Sequence, residues 1–270
     1  MSGQNTGGEL KECEQLMSAS GITDKATAKK YEDIVHVEFY DGALPSVWYE
    51  LRDSLLFWIK QGVKTFRVDN PHTKPLTFWQ RLLRQIHAEQ PDVLFLAEAF
   101  TRPAMMRTLG MIGFHQSYTY FTWRTAKWEL EEYLMEVSHE SDHTMRPNFF
   151  VNTPDILHAS LQQGGPAAFA LRATLAATMS PLWGVYSGYE LYEHEPVAEG
   201  SEEYLDSEKY QLRQWDWDRP GNIVAEISRL NQIRANHPAL QNHLGLRFYH
   251  ASDDAVLYFA RFVPTGAEHA

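Results

Sequence analysis

Apolar residues along the chain keep two alternating rhythms. Val47, Leu51, Leu55, Trp58 and Ile59 recur at steps of three and four, the spacing of one helix face, which predicts a helix over Val47–Gln61 stopped by Gly62. The next run, Val63–Asp69, is short and strand-like; a loop with Pro71 and Pro75 follows, then a helical pattern over Phe78–Ala88. The same order then returns. Strand Val93–Glu98 precedes helix Ala104–Leu109, and strand Phe114–Phe121 precedes helix Thr125–Ser138. Strand Asn148–Asn152 precedes a helix over Ala167–Ala177, entered through the Gly164-Gly165-Pro166 break, and Leu182–Ser187 is a fifth strand. Strands alternating with helices predict an α/β fold on a parallel sheet, open or closed into a barrel. After a helix over Ile223–Ala235 the pattern changes. Leu246–His250 and Ala255–Ala260 read as antiparallel strands joined through Ser252-Asp253-Asp254, the beginning of a separate β-domain. Residues 1–28 are polar and punctuated by glycine and serine, a lead-in with one weak helical stretch, Glu9–Ser18.

Composition narrows the functional classes. The chain has 270 residues, 44% of them hydrophobic, enough to build a core. Its 24 Lys and Arg against 35 Asp and Glu leave a formal charge of −11, with no basic cluster suited to a phosphate backbone, so nucleic acid is not an expected partner. One cysteine, Cys13, excludes an internal disulfide and a thiolate metal cluster built from this chain alone, and fits a cytoplasmic setting. The first residues lack a basic region followed by an apolar stretch, and no apolar run reaches the roughly 18 residues of a membrane span. No membrane association is expected.

Three carboxylates stand where strands give way to loops: Asp69, Glu98 and Asp155. Carboxyl ends of parallel strands are where catalytic groups gather. Asp69 and Glu98 lie one strand–helix unit apart and so fall on adjacent strands; Asp155 comes about two units later. Arg67, two residues before Asp69, lies on the same side of its strand, where a guanidinium holds a carboxylate ionised. Two carboxylates with a third suit glycosyl transfer through a covalent sugar–enzyme ester, in which one carboxylate attacks and another serves as acid and base. Acidic residues at strand ends also occur as solvated caps; it is three in this order, with Arg67, that point to chemistry. Competing motifs are incomplete. His72, His115, His158 and His194 have no metal-ligand spacing, Gly164-Gly165 has no Lys-Ser/Thr sequel, and Ser187 lacks the full nucleophile elbow.

The stretches Phe66–Pro75, Phe95–Pro103 and Val151–Asp155 resemble the fourth-, fifth- and seventh-strand motifs of the α-amylase superfamily (glycoside hydrolase family 13). Gln116–Arg124 and Gly200–Tyr210 further resemble, within it, the family of bacterial maltosyltransferases that use α-maltose 1-phosphate; the resemblance runs from about Lys29 to Gln241. It implies Asp69 as nucleophile, Glu98 as general acid/base, Asp155 as transition-state stabiliser and Arg67 as partner of the nucleophile. Lys29, Tyr31, Asn70, Lys209 and Tyr210 match positions that surround the donor phosphate in that family. The implied reaction is retaining transfer of maltosyl units from α-maltose 1-phosphate to the non-reducing end of an α-1,4-glucan, with no metal or organic cofactor, in a bacterial cytoplasm. The three carboxylates alone leave an α-glucan hydrolase open, and an inactive fragment that binds oligosaccharide through its aromatics remains a further alternative.

The resemblance also implies an architecture. Residues 29–240 are expected to form the part of a (β/α)8 TIM barrel from about strand 4 to strand 8, and 241–270 the start of the C-terminal β-domain, with 1–28 a lead-in that matches nothing in the family. Ala26-Thr27-Ala28 stands where the family has Asn-Pro-Pro. On this count the chain lacks the family's N-terminal portion, through which its homodimers form, and its barrel edges are expected to be exposed.

Overall fold

The computed structural model describes residues 37–40, 45–209 and 211–263. The chain divides into two compact units, one ending at Ser117 and the other beginning at Tyr118. The weak helix expected over Glu9–Ser18 lies outside the described residues.

In the first unit, helix α1 (Ser46–Lys60) leads through Gly62, at φ 98°, into strand β1 (Thr65–Asp69). Helix α2 (Leu76–Glu89), strand β2 (Leu94–Glu98) and helix α3 (Pro103–Met111) follow, and β3 (Gln116–Tyr118) begins at the unit's end. β1 and β2 are parallel and in register from Thr65 opposite Leu94 to Asp69 opposite Glu98; β2 pairs with β3 through Leu96–Gln116 and Ala97–Ser117. Phe95 and Ala97 of β2 are fully buried with Leu83 and Ile86 of α2 and Leu109 of α3, each large side chain contributing about 2–3 kcal/mol by leaving water. α1 docks by the expected face with one exception. Trp48 and Ile59 are buried with Leu51 and Leu55 packed beside them, whereas Trp58, about 100° around the helix from Ile59, lies exposed. Trp79 closes the unit's top edge, its Nε1–H donating to Pro71 O at 2.8 Å and so tying α2 to the turn after β1.

The second unit holds helix α4 (Lys127–Met135), strand β4 (Pro147–Phe150), helix α5 (Ala159–Met179) and strand β5 (Leu182–Gly184), with β4 and β5 parallel. Helix α6 (Val224–Asn236) and an antiparallel pair, β6 (Leu246–Tyr249) and β7 (Tyr258–Arg261), complete it. α5 starts eight residues before the expected Ala167, but Gly165 is non-helical at φ 59°, ψ −164°, so the break at Gly164-Gly165-Pro166 survives as a kink. The strand expected over Phe114–Phe121 ends at Tyr118, and Tyr120–Trp123 forms a 3-10 turn. Arg172 of α5 explains the turn. Buried at 4% exposure, it donates through Nη1 to Arg124 O at 2.7 Å and through Nη2 to Phe121 O, and lies 3.8 Å over the Phe121 ring. Phe121 stacks in turn on Phe149 of β4, ring centres 4.5 Å apart.

Removing the guanidinium takes the side-chain donor from Arg124 O and leaves Phe121 O with the Arg124 N–H alone. Arg172→Leu is expected to lower stability by about 2–5 kcal/mol; a urea midpoint equal to the parent's would show that the turn stands without it.

Candidate active site

β1 alternates sides along its length, so Arg67 and Asp69 project together, and the register sets Asp69 directly against Glu98. Neighbouring strands lie about 4.8 Å apart. Two like charges at that spacing cannot both be ionised at no cost, and the side chains around them show how the conflict is handled. Arg67 reaches both carboxylates, Nη1 to Asp69 Oδ2 at 3.2 Å and Nη2 to Glu98 Oε1 at 3.6 Å. Asn70, in the left-handed region at φ 45°, ψ 50°, donates from its main-chain nitrogen to Glu98 O at 2.9 Å and Glu98 Oε2 at 3.3 Å. Its side-chain amide donates to Asp69 Oδ1 at 2.9 Å. Asn tolerates that backbone region better than most residues because its short amide bonds locally.

The two acids nevertheless sit in different surroundings. The Asp69 side chain is 63% exposed and that of Glu98 only 12%. Burial pushes the Glu98 carboxyl above the ordinary glutamate value, the Arg67 guanidinium pulls it back, the Asp69 charge pushes it up again, and the Asn70 N–H lowers it. Chemically this is an exposed carboxylate beside an acid that keeps its proton to higher pH, the division of labour seen where one carboxyl attacks and its neighbour shuttles a proton.

In the second unit, Asp155 follows Thr153 in a tight turn, its N–H donating to Thr153 Oγ1 at 3.2 Å, and its Oδ1 pairs with Lys209 Nζ. Glu203 Oε1 is 3.9 Å from the same ammonium. The structure thus joins Arg67, Asp69, Asn70 and Glu98 in one unit and Asp155 with Lys209 in the other; Lys29, Tyr31 and Tyr210 lie outside the described residues. One residue beside the site escapes periodicity reasoning. His72, three residues after Asp69, has its Nδ1 buried without a hydrogen-bond partner, and burial lowers its pKa while the Asp69 charge opposes the shift. Its only signal in the sequence is its place in the turn after β1.

No family model matches the chain. Among curated proteins it is 56% identical over 234 residues to the α-1,4-glucan:maltose-1-phosphate maltosyltransferase of Cereibacter sphaeroides, covering 86% of this chain and 39% of the relative. It is 59% identical over 235 residues to that of Pseudomonas aeruginosa, covering 86% and 35%. For that of Mycolicibacterium smegmatis the identity is 55% over 240 residues, covering 87% and 34%. The chain therefore spans little more than a third of the length of the curated relatives it matches. Among solved structures it resembles an Anoxybacillus α-amylase (TM-score 0.66, 16% identity, 83% of this chain and 51% of that one). It also resembles the cyclomaltodextrin glucanotransferase CldA (TM-score 0.66, 18% identity, 83% and 47%). These likenesses show the fold: the chain carries part of a (β/α) barrel, followed by an antiparallel β-pair.

The neighbours of Glu98 act on it in opposite senses, so two variants must move its titration in opposite directions. Arg67→Met is expected to raise the Glu98 pKa further and Asp69→Asn to lower it, read by carbon NMR of the labelled carboxyl. Shifts of the same sign in both variants would mean that burial alone sets the value.

Proposed function

We propose that this chain, homologous over most of its length to the maltosyltransferases, carries the carboxylate machinery for retaining transfer of maltosyl units from α-maltose 1-phosphate to an α-1,4-glucan. The observation that carries the reaction class is the in-register pair of Asp69 and Glu98, one exposed beside Arg67 and the other buried with its pKa raised. The similarity to named maltosyltransferases supports the choice of donor and acceptor. In the proposed cycle Asp69 attacks the anomeric carbon, the C–O bond to phosphate breaks as Glu98 gives its proton to the departing phosphate oxygen, and a β-maltosyl ester forms on Asp69. Glu98 then takes the proton from the 4-hydroxyl of the acceptor's non-reducing end, whose oxygen displaces Asp69 and restores the α configuration. The strand spacing of about 4.8 Å is close to the roughly 5–5.5 Å between carboxyls that retention requires.

Arg67 pairs with Asp69 and orients it for attack. Asp155 is assigned the stabilisation of the oxocarbenium-like transition state, and Lys209 with Lys29, Tyr31, Asn70 and Tyr210 the donor phosphate, each by its motif. A dianionic leaving group calls for ammonium and hydroxyl donors, which a site built only for sugar and water does not need. The reaction takes place in the cytoplasm on this reading.

Phosphate leaves easily, with a second pKa near ~6, so the first half-reaction needs little help from Glu98 while the second depends on it. With α-maltose 1-phosphate and maltohexaose, the chain is expected to release phosphate and form products longer by two glucose units, resolved by mass spectrometry. Asp69→Ala should lose about 10⁴-fold or more. Glu98→Gln should release one equivalent of phosphate and then stall as a maltosyl-enzyme visible in the intact mass. Glucose or maltose produced in place of lengthened glucan would make the protein a hydrolase, and absence of phosphate release would overturn the proposal.

A further inference from the structure

Two motifs set apart in the sequence, Gln116–Arg124 and Gly200–Tyr210, enter the chemistry above only through Lys209 and Tyr210, yet the structure bonds the described residues of one to those of the other. Trp123 Nε1 donates to both carboxylate oxygens of Glu202, at 3.1 Å and 3.1 Å. Trp123 itself belongs to the 3-10 turn that buried Arg172 holds by its carbonyls. Bonds to main-chain carbonyls continue the attachment: Leu157 N–H donates to Glu202 O at 2.6 Å, and the Gln162 side chain donates through Nε2 to Ser201 O at 2.8 Å.

Further along the same segment, Tyr204 is buried at 6% exposure and its hydroxyl accepts from Asn152 Nδ2 at 2.6 Å. Asn152 is fully buried, and its Oδ1 accepts from Tyr186 N at 2.8 Å, so both ends of its amide are engaged. Asn152 also opens the Asn152-Thr153-Pro154-Asp155 turn. One buried amide therefore fixes the turn that carries Asp155 and the segment that carries Lys209, the two halves of the observed ion pair. A lysine stem has four rotatable carbons and about 2 kcal/mol of rotamer entropy, so its ammonium is only as well placed as its Cα.

We infer that residues 201–209 form a docked strap, and that Trp123, Asn152, Glu202 and Tyr204 are positioning residues that aim Lys209 at the phosphate of the donor. The inference rests on the reading of the site as one for a sugar phosphate. It assigns the turn after β3 to donor recognition. The strap matters for the phosphate and not for the glucan chain, which gives the test its selectivity.

The test uses this chain, its Trp123→Phe variant, which keeps a ring but loses the donor, and its Glu202→Gln variant, which keeps an acceptor oxygen without the charge. Binding of α-maltose 1-phosphate and of maltohexaose is measured by calorimetry, and exchange of the 201–209 amides by hydrogen–deuterium mass spectrometry. Trp123→Phe is expected to weaken α-maltose 1-phosphate about tenfold, as loss of a bond to a charged group does, with maltohexaose unchanged. The 201–209 amides should exchange faster and those of α5 at the parent's rate, and Glu202→Gln should recover part of the loss. Unchanged exchange over 201–209 would show that the strap is held elsewhere, and faster exchange with intact donor binding would show that the strap does not aim Lys209; each overturns the inference while the reaction assignment stands. A parent chain that binds maltohexaose and not α-maltose 1-phosphate would overturn the sugar-phosphate reading itself, and the inference with it.

Discussion

Parallel pairing of β1 with β2 brings Asp69 opposite Glu98, and like charges about 5 Å apart repel by about 3 kcal/mol at an effective dielectric of 20. The end of β1 is organised around that repulsion. Arg67 supplies a positive charge to both acids, Asn70 adopts a left-handed backbone so that its N–H and its amide can each bond one of them, and Glu98 is withdrawn from water. Exposing Asp69 and burying Glu98 gives the two acids different surroundings, and burial raises the pKa of Glu98.

Much of this was legible in the sequence because the relevant spacing is short. A strand of period two places Arg67 and Asp69 on one side, and a single strand–helix unit places Glu98 on the neighbouring strand. The degree of burial was not legible, since it depends on packing of β2 against α2 and α3. Helix α1 shows the same limit on a smaller scale. Its apolar positions fill more than one face, and only the partner surface selects Trp48 and Ile59 over Phe57 and Trp58. The strand expected over Phe114–Phe121 fails for a long-range reason: Arg172, some fifty residues away, takes the carbonyls that a strand would have offered to a neighbour. Local propensity favours extension in an aromatic, Thr-rich run, and a tertiary hydrogen bond overrides it.

The pair of Asp155 and Lys209 belongs to a third category. Neither period nor propensity points from one to the other; only the resemblance put Lys209 near a phosphate, and the structure puts its ammonium against a carboxylate. The two placements are compatible on energetic grounds. A partly exposed lysine–carboxylate pair, such as this one, contributes about 0–1 kcal/mol, whereas hydrogen bonds to charged groups contribute about 1.5–3 kcal/mol. On the proposed reaction, a phosphate dianion can therefore draw the ammonium from Asp155, and a neutral sugar cannot. The carboxylate pairing would then keep the Lys209 side chain ordered in the absence of donor. On that proposal such an arrangement would tell a glycosyl phosphate from a plain oligosaccharide by charge, while the carboxylates of β1 and β2 would treat the sugar of either in the same way.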